Sequence, residues 1–206
     1  MTKLSWQGRT ARDPFLLYMI FLGVGLGTIL LDQPVRLALL WTTLVALSIF
    51  YRSAHQVEIV FSLPSLGRGA LLGLVISLPI LAFLSEQLRL FNERLYATGN
   101  IVFLAYQVCF VAAPIEEYFF RGIVQSRRTS SVSTALYAAA ALIYFLPHAP
   151  FLATLLVAAA MACLGMVYGY ICDRHGLIAS VACHVVVGFV LQVVPSLLQA
   201  LRVALS

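Results

Sequence analysis

Charge is what this chain has least of. Lys, Arg, Asp and Glu make up 10% of its 206 residues, and 62% are hydrophobic, where a soluble domain carries roughly 25% charged residues. Small domains bury a smaller fraction of their surface, so a chain of this size in water has no way to hide that much apolar area. A soluble class is excluded, and the main solvent is lipid. Cysteine is also sparse. Cys109, Cys163, Cys172 and Cys183 fall within or at the ends of apolar runs without any Cys-x-x-Cys spacing, which argues against a zinc or redox motif and for inert thiols. No His-Glu-x-x-His run of the soluble zinc proteases occurs. Long linkers, low-complexity tracts and clear internal repeats are missing as well. The net charge of +5 then reads as orientation and attraction to anionic lipid, and nucleic acid is not an expected partner.

What is there is a series of apolar runs. A spanning helix needs about 20 apolar residues, and seven runs approach this: Pro14–Leu31, Val35–Tyr51, Ala70–Ser85, Asn100–Ser126, Val132–Pro147, Phe151–Cys172 and Leu177–Leu201. The expectation is one all-α membrane domain over residues 1–206, with about seven transmembrane helices (six to eight). The second and third runs are short for a span and read as partly interfacial. The first run follows the basic segment MTKLSWQGRTARD but lacks an A-x-A cleavage site and is followed by Asp32, Gln33 and Pro34, so it is taken as a membrane helix and not a signal peptide. Between the third and fourth runs, Leu88, Phe91 and Leu95 can share one helical face, which suggests a short helix lying in the interface.

Orientation follows from the basic residues. Seven spans put Lys3, Arg9, Arg12, Arg52, Arg68, Arg121, Arg127, Arg128 and Arg174 on one side and Arg36, Arg89, Arg94 and Arg202 on the other. The positive-inside rule then places the N-terminus in the cytoplasm. Short loops and small size point to a prokaryotic inner membrane.

Ionisable groups inside apolar spans cost a few kcal/mol each and mark function by default. Here they gather in the last four spans: Glu116, Glu117 and Arg121 in APIEEYFFRG, His148 after Tyr144 in YFLPH, and His184 in the last run. Glu117 and Arg121 stand at i and i+4 in the favourable order for an ion pair. Glu116 lies about 100° around the helix, free to face another helix and act as a general base. At 1.5 Å per residue, Glu116 and His184 fall roughly 16 and 12 Å deep, and His148 roughly 24 Å.

The run EEYFFRG resembles the E-E-x-x-x-R motif of the CPBP family, the CAAX-protease and bacteriocin-processing membrane proteins. YFLPH is similar to that family's F-x-x-x-H, and HVVVG stands in the place of its H-x-x-x-N. The resemblance covers Asn100 to Gln199. It implies an intramembrane endopeptidase acting near the C-terminus of a membrane-anchored protein or peptide, with Glu116, His148 and His184 catalytic. Glu116 would activate water with His148 assisting, His184 would help bind the oxyanion, and Glu117 with Arg121 would fix the fourth helix. No cofactor is favoured. The alternative is a zinc ion held by Glu116, His148 and His184, a set that satisfies a catalytic zinc site.

Two positions depart from the pattern. Tyr144 replaces phenylalanine, and Gly188 replaces an asparagine that would donate to the oxyanion. Loss of one such donor costs about 3 kcal/mol or more. Tyr144 and Gln192, the latter one turn further along, are the candidate substitutes, and with no substitute Gly188→Asn should raise the rate. Gly188 also keeps open a non-catalytic relative that binds a peptide or isoprenoid tail or confers bacteriocin immunity. A small transporter is the remaining rival, since buried charges also line ion paths.

Overall fold

The computed structural model describes residues 13–52, 57, 59–96, 98–145 and 150–205. All regular structure among them is helical, in seven helices: α1 (Pro14–Gly27), α2 (Gln33–Arg52), α3 (Leu63–Tyr96), α4 (Ile101–Gln125), α5 (Ser130–Phe145), α6 (Phe151–His175) and α7 (Leu177–Leu205). These match the seven apolar runs in order. Five of them, α2, α3, α4, α6 and α7, are long and apolar enough to cross a membrane. The chain is an integral membrane protein.

The short helices are α1 and α5, not the second and third runs as expected. Gln33 and Arg36 are wound into α2, and α3 continues for 34 residues through Arg68 and Glu86 to Tyr96. Polar side chains interrupt hydropathy but not the backbone hydrogen-bond ladder, so helices outrun their apolar runs. The segment expected as a separate interfacial helix is therefore the end of α3, set off by a kink at Leu84 (φ −123°, ψ 16°) that follows Pro79 by five residues. Its inward face is Asn92, Leu95 and Tyr96.

The chain divides into two compact units, residues 1–58 with 118–169 and residues 59–117 with 170–206. In the first, α1 packs on α2 and α5, and the last part of α4 packs on α2 and α5. An aromatic ladder fills its core: Phe120 meets Tyr18, Phe119 and Tyr137 edge-on at 6.2, 5.2 and 5.3 Å. Arg36, at the start of the second apolar run and counted on the minority side, is buried in this unit. Its guanidinium donates to the carbonyls of Gly25 and Ile143 and, at 3.3 Å, Tyr144. Gly25 and the α5 pair sit near the C-terminal ends of their helices, where carbonyls lack intrahelical partners and a cation is favoured.

In the second unit α3 lies along α7. The run Gly69-Ala70-Leu71-Leu72-Gly73 allows this. A Cβ on Gly69 would lie 2.0 Å from the carbonyl oxygen of Ala179, and one on Gly73 would lie 2.8 Å from that of Cys183. Small residues four apart let membrane helices touch backbone to backbone. The outer face of α3 is apolar, with Phe83 84% exposed, as expected of a surface in lipid.

Gly73→Leu should therefore melt well below the parent protein in detergent, since overpacking a tight contact costs about 1–3 kcal/mol. Gly67→Leu adds a side chain into open space and should melt with the parent. Equal melting of the two variants would show that the α3–α7 contact carries no stability.

Candidate active site

The two helices that carry Glu116, Glu117 and His184 each widen before a proline, and α4 widens again over Tyr118–Gln125. In α4, residues Gln107–Ala112 form a π turn just before Pro114, and in α7, residues Phe189–Val193 form another just before Pro195. Proline has no N–H and crowds the preceding turn. In each case the residue before it bonds five back: Ala113 N–H to Val108 O, and Val194 N–H to Phe189 O. Wide turns of this kind often mark functional sites. A short α segment, Ala113–Glu117, follows the first of them and carries both glutamates.

The second unit brings Glu117 and His184 together. His184 Nδ1 stands 3.0 Å from Glu117 Oε1, and the Ser180 hydroxyl, one turn before His184, donates to Glu117 Oε2. Glu117 and Ser180 are fully buried and His184 is 8% exposed. A carboxylate at one ring nitrogen fixes the imidazole's orientation and leaves Nε2 for chemistry. Glu117 thus meets His184, a contact that the sequence reading did not assign. Glu116, also buried, lies within electrostatic reach of Tyr96.

The rest of the second unit's site surrounds the π turn of α7. Gly188 is buried, and a Cβ there would lie 2.7 Å from Val108 Cγ1. The glycine is a point of close packing between α7 and the π turn of α4. In a regular helix Gln192 would sit roughly 80° off the face of His184. The π turn takes in about one extra residue and winds Gln192 back to within roughly 20°. Its Oε1 accepts from Tyr96 Oη at 2.6 Å.

Arg121 and Tyr144 belong to the first unit. Arg121 is 2% exposed, donates to Ser133 Oγ at 2.7 Å and stands over the Tyr137 ring at 5.2 Å. Tyr144 is buried, with its ring 6.1 Å from Phe21. His148 lies outside the described residues. Among those described, no three His, Cys, Asp or Glu side chains gather closely enough to hold a metal ion.

Asn92 and Tyr96 were missed in the sequence, where the end of α3 reads as interface. The available signal was a polar side chain and an aromatic four residues apart, on one helical face with Leu95.

Residues 98–190 match the family model of the Rce1-like type II CAAX prenyl endopeptidases. No curated protein and no solved structure matches the chain.

The packing at Gly188 bears on the stability of a variant considered from the sequence for its rate. Gly188→Asn should lower the melting temperature because the new side chain meets Val108, and Val108→Ala in the same protein should restore much of the loss. A Gly188→Asn protein as stable as the parent would show that the contact yields easily.

Proposed function

We propose that this chain, which carries an Rce1-like type II CAAX prenyl endopeptidase domain at residues 98–190, is a glutamate-type intramembrane endopeptidase that cuts near the C-terminus of membrane-anchored or lipid-modified proteins. The observation that carries the reading is the buried Glu117–His184 pair, one residue from a second buried carboxylate. A protein that only binds a tail has little use for such a costly set.

In this reading Glu116 takes a proton from water, with His148 assisting, and the hydroxide attacks the scissile carbonyl carbon. His184, taken as the imidazolium whose Nδ1–H is held by the Glu117 carboxylate, donates from Nε2 to the oxygen that becomes negative. Collapse of the tetrahedral species breaks the C–N bond, and the amine leaves with the proton that Glu116 had taken. Arg121 serves the scaffold, bonded to Ser133 and stacked on Tyr137. Gln192 stands in for the donor that Gly188 lacks. The protein is taken to lie in a prokaryotic inner membrane with a cytoplasmic N-terminus, and with the buried Arg36 and Arg121 left out the basic residues still divide eight to three.

The reading separates the two glutamates. Glu116→Gln should cut cleavage of a membrane-anchored reporter at least 100-fold, the scale of a lost general base, and melt like the parent. Glu117→Gln should lower the melting temperature, because the amide keeps one acceptor oxygen and sets an NH2 against the other of His184 and Ser180. The opposite pattern, with Glu116→Gln active and Glu117→Gln inert but stably folded, would exchange their roles.

Zinc provides a separate check. The purified protein should cleave at full rate after chelation, with less than stoichiometric zinc by elemental analysis. Activity lost on stripping and restored by zinc would replace the glutamate mechanism by one in which Glu116, His148 and His184 hold the metal, and Glu117 would then orient His184 from behind.

A further inference from the structure

The end of α3 grips α7 at its π turn through two side chains one helical turn apart. Asn92, 3% exposed, donates from Nδ2 to Leu191 O at 3.0 Å and Gln192 O at 3.1 Å. Leu191 O is the carbonyl that residue 195 would serve in an α-helix, and residue 195 is proline, with no N–H to give. Tyr96, 5% exposed, donates its hydroxyl proton to Gln192 Oε1 at 2.6 Å. Gln192 is thus held at its backbone oxygen and at its side-chain oxygen.

An amide fixed at its oxygen has a fixed NH2. Nε2 of Gln192 makes no hydrogen bond among the described residues and is not one of the buried unsatisfied atoms, so it remains open to a ligand. The Tyr96 hydroxyl also lies within electrostatic reach of Glu116, the proposed base. A groove of about 620 Å³ opens one turn further along α7, lined by Glu93, Ile101, Leu104, Ser196, Gln199 and Val203 among others. Its nearest lining residue on α7, Ser196, stands four residues beyond Gln192.

We infer that Tyr96 is a positioning residue for the proteolytic reaction: it aims the Gln192 amide so that Nε2 donates to the reacting carbonyl oxygen in place of a side chain at Gly188. This rests on the endopeptidase reading above. A free glutamine amide spends its binding energy on ordering a rotatable side chain, whereas a preset one meets the developing charge without reorganisation.

Four proteins test this: the parent, Tyr96→Phe, Gln192→Ala and the double variant, with kcat and KM measured on a membrane-anchored peptide in proteoliposomes. An interaction made only in the transition state shows in kcat and not in KM. Gln192→Ala should lower kcat about 100-fold, the lower end for one lost donor, and Tyr96→Phe about 10-fold because it loosens that donor without removing it, both with KM unchanged. Adding Tyr96→Phe to Gln192→Ala should cost nothing more, because one residue acts through the other. Equal losses from Tyr96→Phe in both backgrounds, or no loss in either, would overturn the inference. A parent protein inert toward every membrane-anchored peptide would instead overturn the endopeptidase reading. The pair is then judged by the side-chain amide NMR of Gln192. Gln192 NH2 signals that shift and show faster side-chain motion by 15N relaxation in Tyr96→Phe uphold the positioning role, and spectra and relaxation identical to the parent's refute it.

Discussion

Hydrocarbon offers backbone groups no partner, so each N–H and C=O within a span must be satisfied inside the protein at a penalty of several kcal/mol otherwise. Pro114 and Pro195 strain that rule in the two helices that carry the site. Both helices respond with a wide turn closed by the residue just before the proline. In α7 the response reaches beyond the helix, since Asn92 of α3 takes the carbonyls of Leu191 and Gln192. The prolines therefore do more than bend. They rotate the residues beyond them, place the two glutamates on a short α segment, and tie the end of α3 to α7.

Close approach is the second condition, and glycine supplies it. Glu117 reaches His184 only if the first part of α4 and α7 lie near each other, and Gly188 against Val108 is one place where they do so. Gly69 and Gly73 do the same for α3 and α7. The tight seams leave a carboxylate without solvent exposure. Such a group is tolerable only when fully hydrogen-bonded, which Ser180 and His184 provide on separate oxygens.

Hydropathy made the seven helices legible, because each is mostly apolar and the count depends on composition alone. Their ends were less so: α2 and α3 carry polar residues inside the helix, and a scan for uncharged runs stops at them. At the site, the concentration of Glu116, Glu117 and His184 in the later spans was visible. Which carboxylate meets the histidine was not. Spacing within one helix suggests Arg121 as a partner for Glu117, but His184 is 67 residues away in sequence, and no local pattern announces that contact. The Gly69-x-x-x-Gly73 seam was present as a readable motif. Asn92 was hidden for another reason, since its role depends on a proline in a different helix.

Gly188 shows how a missing residue type can have a physical cause of its own. Judged by motif, the position has lost a donor. Judged by packing, any Cβ there would press on Val108 from 2.7 Å, so glycine is what allows α7 to sit against the π turn of α4. These two statements constrain each other. If that contact disfavours a side chain at residue 188, a donor on the His184 face of α7, as the proposed mechanism asks for, would come from the next turn, and a regular helix would turn Gln192 away. The π turn at Phe189–Val193 turns it back, and the residue found there is a glutamine with its oxygen already bound to Tyr96. Tight packing at Gly188, wide winding after it and a tethered amide at Gln192 thus form one connected solution to placing polar chemistry inside a membrane helix.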